Sequence, residues 1–101
     1  MSGRRHLLVC YDVREARRLR RVHRVVRDFG EPLQYSVFVC RLDATTQAEL
    51  ERRVLEVIDA RVDSVVLVDC GPVGATTRAR LPGLRMLGAP TLPDLPGAVI
   101  C

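Results

Sequence analysis

The chain has 101 residues, 48% of them apolar but only 4% aromatic, with sixteen Arg, no Lys and a formal charge of +4. That length is expected to give one small domain with a modest Val/Leu/Ile/Ala core and a stability of about 5–15 kcal/mol. No apolar run approaches twenty residues and no export signal is visible, so a cytoplasmic protein that does not cross a membrane is predicted.

The first element is His6–Val13, "HLLVCYDV", short, with a β-branched and aromatic content that predicts a strand closed by a charge cluster. Residues 15–29 follow as a helix. On a wheel, Ala16, Leu19, Val22, His23, Val26 and Phe29 fill one arc, with Val25 the one apolar residue among the arginines, and Gly30 is the expected stop. "EPLQYSVFVCRL", residues 31–42, is extended, and a tight turn or bulge near Gln34–Ser36 would divide it into two strands. Thr45–Ala60 is a second helix. Its "TQAE" at 46–49 has a capping-box pattern, and Glu49–Arg53 and Arg52–Glu56 are spaced as ion pairs. "SVVLVDC", residues 64–70, is a strand stopped by Gly71-Pro72.

The composition changes after that point. Residues 71–97 hold five of the seven Gly and five of the six Pro, and "AVIC" ends the chain as a short apolar strand. A core over 1–72 and an arm over 73–101 are expected. Cys10, Cys40, Cys70 and Cys101 lie about thirty residues apart with no zinc-like spacing, and they are expected to be small buried hydrophobes in a reducing compartment.

This order predicts an α+β, ferredoxin-like antiparallel sheet with both helices on one face. "VVLV" and "VFV" are apolar without alternation, so both sheet faces are expected to be covered. One is covered by the helices. A second copy covers the other, giving a homodimer through the sheets, with the terminal strand docked on the partner protomer.

Charge supplies the functional signal. Residues 14–27 contain seven Arg and one Glu. A one-sided arginine face of this density points to nucleic-acid phosphate, with Arg14, Arg17, Arg18, Arg20, Arg21 and Arg24 as the contacts and little base preference. Asp12 stands alone at the entrance to that helix. "DVRE" fits a helix cap, with Asp12 as N-cap and Glu15 at N3, and the same acid fits a metal ligand. One carboxylate holds Mg²⁺ poorly, so the ligand role requires a dimer that pairs two copies of Asp12.

"LLVCYDV", "RRLRRVHRVVRDFG", "QYSVFVC" and "DSVVLVDCGP", in unbroken order from about residue 7 to 72, resemble the CRISPR-associated protein 2 family, the small core protein of spacer acquisition. The resemblance implies a ferredoxin-like homodimer that works with the CRISPR integrase on DNA, in some members with Mg²⁺-dependent endonuclease activity on RNA or duplex DNA, and in others as a scaffold only. It places the catalytic and metal acid on Asp12 from both protomers. The basic helix start falls on Arg17, Arg18, Arg20 and Arg21. The family's polar-aromatic segment falls on Gln34, Tyr35, Ser36 and Phe38, and Tyr11, Gln34, Ser36 and Phe38 are the expected substrate or dimer contacts. Pro32 and Val39 stand where many members carry Arg and Glu, which removes one phosphate contact and weakens the case for cleavage. A stand-alone ribonuclease toxin of related fold, like the virulence-associated D toxins, is the alternative. From the residues alone, Ser36 and Tyr35 read as turn polar groups, and His23 as a boundary residue rather than a base.

Overall fold

Strand β1 (Arg5–Asp12) sets the frame: Leu7, Val9 and Tyr11 are buried on one face, while Leu8 and Cys10 are half-buried and Asp12 exposed on the other. The computed structural model describes residues 3–74 and 84–88. After β1 come α1 (Ala16–Arg27), β2 (Gly30–Gln34), β3 (Val37–Leu42), α2 (Ala44–Val57) and β4 (Ser64–Pro72). The sheet order is β2-β3-β1-β4 with every neighbour antiparallel, and both helices pack on one face. This is the expected ferredoxin-like α+β fold.

The core lies between helices and sheet. Phe38, Cys40 and Leu42 of β3 and Leu7, Val9 and Tyr11 of β1 meet Val22, Val25 and Val26 of α1 and Leu50 and Val54 of α2. Val25 is therefore a core residue, whereas Ala16 and Leu19 are exposed. Helix α1 packs against α2 as well as the sheet, and this second neighbour moves its buried stripe away from the arc drawn on the wheel.

Several local expectations are corrected. The N-cap of α1 is Glu15, whose Oε1 accepts the Arg18 backbone N–H at 2.8 Å. Asp12 still belongs to β1, too far from the helix start to cap it. The N-cap of α2 is Asp43, in a reciprocal box with Thr46: Asp43 Oδ1 accepts from Thr46 N at 2.8 Å and Thr46 Oγ1 accepts from Asp43 N at 3.0 Å. The helix accordingly starts and ends earlier than predicted, with Ile58 as C-cap. Glu49 pairs with Arg52, which also holds Glu56, both at 2.6 Å. Arg53 instead reaches Asp28 at 3.0 Å and lies over the Phe29 ring, tying α2 to the end of α1.

Gly30 does not stop the helix, whose C-cap is Asp28. It opens β2 opposite Cys40, where a Cβ would overlap Cys40 Sγ and the Val39 carbonyl oxygen. The extended segment divides as expected, with a turn at Tyr35–Ser36 and a register shift between Pro32 and Gln34. β4 runs through Gly71-Pro72, and Val73 N donates to the Arg4 carbonyl at 2.9 Å.

The apolar run of β4 alternates after all. Val65 and Leu67 pack on the core, while Val66 is 52% exposed and Val68 44% exposed on the face away from the helices. Register aligns Val39, Leu8 and Val68 in one row across that face, and Val37, Cys10 and Val66 in the next. Among the described residues this apolar face is left partly open at Val66 and Val68, while Leu8 and Cys10 are half-buried and His6 at its far end is buried. Of the cysteines, Cys40 is buried, Cys10 half-buried and Cys70 exposed. Cys101, the terminal strand "AVIC" and most of the arm lie outside the described residues.

Candidate nucleic-acid interface

Asp12 ends β1 opposite Ser64 of β4, on the same face as Leu8 and Cys10. Its side chain is 63% exposed and pairs with Arg14 Nη2 at 3.2 Å. The connection that follows it is anchored by an acid not foreseen from the sequence, Asp63. The fully buried carboxylate of Asp63 accepts from Arg14 N at 2.9 Å, Arg18 Nε at 2.7 Å and Asp59 N at 2.9 Å, with a longer bond from Arg18 Nη2. The Arg18 guanidinium, together with these backbone N–H groups, holds the Asp63 carboxyl well below the usual carboxylate range. Asp63 thereby fixes the β1–α1 connection against the α2–β4 connection. Arg18 is held in this network and is withdrawn from the free arginines.

The remaining arginines of α1 behave differently. Arg17, Arg20, Arg21, Arg24 and Arg27 are exposed, and among the described residues none has a carboxylate partner. Elsewhere among the described residues Arg5, Arg52, Arg53 and Arg61 are each paired, and only Arg4, Arg41 and Arg85 are not. The unpaired guanidiniums are concentrated on one helix, which is the charge pattern of a phosphate-binding face.

Beside Asp12 that helix forms one wall of an open groove of about 680 Å³. Leu19, Arg20, His23, Arg24 and Arg27 line the helix wall; Tyr35 and Ser36 of the β2–β3 turn also line the groove, with Tyr11, Asp12 and Val13. The Tyr11 hydroxyl lies 2.9 Å from His23 Nδ1 and 3.1 Å from the Tyr35 carbonyl oxygen. A carbonyl only accepts, so the single hydroxyl proton goes to Tyr35. Nδ1–H then donates to the hydroxyl and Nε2 keeps its lone pair. Burial, then Arg27, lowers the His23 pKa, with the Tyr35 carbonyl opposing in part, so the ring is neutral near pH 7. Burial pushes the Tyr11 hydroxyl up to about 12. His23 is thus a wall residue with a partner, found only when the topology sets Tyr11 beside it.

The other predicted contacts divide by burial. Gln34 and Tyr35 are exposed and Ser36 half-buried, its carbonyl accepting Tyr11 N at 3.0 Å. Phe38 is 0% exposed and packs on the rings of Tyr11 and His23, so it offers no surface to a substrate or a second copy.

Among the described residues, no three His, Cys, Asp or Glu side chains come together as a metal site. Asp63 is spent on its four hydrogen bonds and the exposed Glu15 on capping α1, which leaves Asp12, paired with Arg14, as the acid of this corner without a capping or anchoring role. A single chain therefore offers a divalent cation one such carboxylate here, whose remaining oxygen ligands would have to come from water, substrate or another chain.

The sequence profile of the CRISPR associated protein Cas2 family matches residues 5–73, from the first residue of β1 to just past β4. The chain belongs to the Cas2 family. It is 40% identical over 65 residues to a CRISPR-associated endoribonuclease Cas2 of Geobacter sulfurreducens, covering 64% of this chain and 68% of that one. It is 41% identical over 58 residues to one of Thermodesulfovibrio yellowstonii, covering 57% and 64%. Among solved structures, Cas2 of Streptococcus pyogenes superposes with a TM-score of 0.62 at 28% identity, covering 79% of this chain and 99% of that one. A hypothetical protein of Thermus thermophilus gives 0.71 at 27% identity, covering 87% and 95%. The profile match includes every residue of the Asp12 corner and the α1 arginines.

Proposed function

We propose that this Cas2-family chain is a nucleic-acid-binding homodimer of CRISPR spacer acquisition that works with the CRISPR integrase and uses Asp12 for Mg²⁺-dependent phosphodiester cleavage. One observation carries the reading: Asp12 lies at the margin of an apolar sheet face that the described residues leave partly open. A second copy seated on that face covers Leu8, Val37, Val39, Val66 and Val68, and it brings a second Asp12 to the same surface. Burying such a face is favourable by roughly 25 cal/mol per Å². The two carboxylates would hold Mg²⁺, which when bound stabilises charge on a phosphate and lowers the pKa of a water.

The chain's own groups do the rest. Asp63 and Arg18 keep the connection after Asp12 in place. Arg17, Arg20, Arg21 and Arg24 position a phosphate backbone without reading bases, and Arg14 balances the Asp12 charge until substrate arrives. Pro32 and Val39, where many members carry Arg and Glu, favour a second reading in which the dimer is a nuclease-inactive scaffold that holds duplex DNA for the integrase. Membership of the Cas2 family leaves the toxin reading without support.

Light scattering tests the dimer: a mass of twice 11.3 kDa is expected, falling to the monomer value in Val66→Asp. A wild-type monomer would overturn both the dimer and the shared metal. Asp12→Asn then separates cleavage from scaffolding. In a folded dimer it should abolish Mg²⁺-dependent cleavage by orders of magnitude and leave integrase binding intact.

A further inference from the structure

The groove between α1 and the β2–β3 turn contains features that backbone binding does not use. A face that only tracks phosphates needs cations, yet here three unpaired arginines share the groove with an aromatic ring. Tyr35 is 69% exposed at the tip of the turn, although a large aromatic side chain ordinarily loses its surface to a core. Leu19, 39% exposed, adds an apolar patch on the helix wall with the neutral His23. The backbone under Tyr35 is fixed, because its carbonyl accepts from the Tyr11 hydroxyl and the neighbouring Ser36 carbonyl accepts from Tyr11 N. The ring is therefore mounted on an ordered turn. The volume of about 680 Å³ lies in the range of ligand clefts, roughly 300–1,000 Å³.

Arg20, Arg24 and Arg27 follow one another along the helix at i, i+4 and i+7, so their positions advance by about 6 and 4.5 Å. All three line the groove, and steps of this size suit consecutive phosphates of one strand. Bases paired in a duplex are turned inward and cannot reach the ring, whereas unpaired bases stack readily on aromatic side chains.

We propose that this groove takes an unpaired nucleotide of a single-stranded segment, with its base against Tyr35 and Leu19 and the flanking phosphates on Arg20, Arg24 and Arg27. The inference rests on the nucleic-acid reading above and adds to it a base-dependent, sequence-tolerant site for a single strand next to Asp12.

The test compares three probes by fluorescence anisotropy at fixed salt: an eight-nucleotide oligothymidylate, an abasic sugar–phosphate chain of the same length, and a blunt duplex. The wild type should bind oligothymidylate about 5- to 150-fold more tightly than the abasic chain, the worth of one stacked base. Tyr35→Ala should reduce that ratio to near one while leaving duplex and abasic affinities unchanged. Tyr35→Phe, which keeps the ring, should retain it. Arg20→Ala with Arg24→Ala should weaken the two single-stranded probes together and preserve their ratio. A wild-type ratio near one, or a ratio that survives Tyr35→Ala, overturns the base site while duplex binding stands. Failure of all three probes to bind overturns the nucleic-acid reading as well.

Discussion

Tyr11→Phe removes one oxygen and nothing else from the floor of the groove. In the native protein that hydroxyl joins three elements: β1 through its own backbone, α1 through His23 Nδ1 at 2.9 Å and the β2–β3 turn through the Tyr35 carbonyl at 3.1 Å. The ring keeps its place against Phe38, so no cavity opens. Each lost hydrogen bond is worth about 0.5–1.5 kcal/mol net, and both stranded partners lie near the groove, where water reaches them at modest cost. The expected loss is therefore about 1–2 kcal/mol. For a domain of this size each kcal/mol lowers Tm by about 4–8 °C, so a fall of roughly 5–15 °C is expected in thermal unfolding. Protein concentration must be held constant, because a dimer makes Tm concentration-dependent. A variant within 2 °C of the wild type would show that the hydroxyl joins nothing, and the ordered mounting of Tyr35 would lose its basis.

Asp63→Asn puts an amide N–H among donors and leaves Arg18 without its carboxylate, so a lower Tm is expected at neutral pH. Because the folded pKa of Asp63 is depressed, its stabilisation is present above the unfolded value of about 3.9 and is lost as pH falls through the folded value. The wild type should thus lose stability on acidification below about pH 4 more steeply than Asp63→Asn, and parallel acid limbs would refute the assignment. Gly30→Ala should destabilise the β2–β3 hairpin, since the added methyl overlaps Cys40 Sγ and the Val39 carbonyl; an unchanged denaturation midpoint would refute this close approach. Replacing Arg17, Arg20 and Arg24 by Ala should make the slope of log K against log salt for duplex DNA shallower by about 2–3, and an unchanged slope would mean these side chains touch no phosphate.

The elements themselves were legible because their signals are local and periodic. "HLLVCYDV" and "SVVLVDC" read as strands, and the apolar spacing of the two helices placed them within a few residues. Caps were misassigned because two capping residues compete at each helix start, Asp12 with Glu15 and Asp43 with Thr46, and only the strand end decides which one stands at the N-cap. Asp12 lost that role to Glu15 for this reason. Val25 was misplaced because a wheel knows one neighbour, while α1 has two. The buried clamp of Asp63 on Arg18 spans 45 residues, and nothing in "ARVDS" distinguishes it from an ordinary loop acid. The groove was invisible for a related reason: Tyr11, His23 and Tyr35 are twelve residues apart in turn and meet only through the antiparallel register. The run "VVLV" predicted a covered second face; among the described residues its alternation leaves Val66 and Val68 partly exposed there.

The central claim is that two chains share one metal through Asp12, and stoichiometry tests it most directly. Mn²⁺, a reporter for Mg²⁺, can be titrated into the purified protein with a single-stranded RNA present, and free ion counted by electron paramagnetic resonance. One ion bound per two chains, abolished by Asp12→Asn in a variant that remains dimeric, is the predicted result. One ion per chain, or undiminished binding by Asp12→Asn, would contradict it.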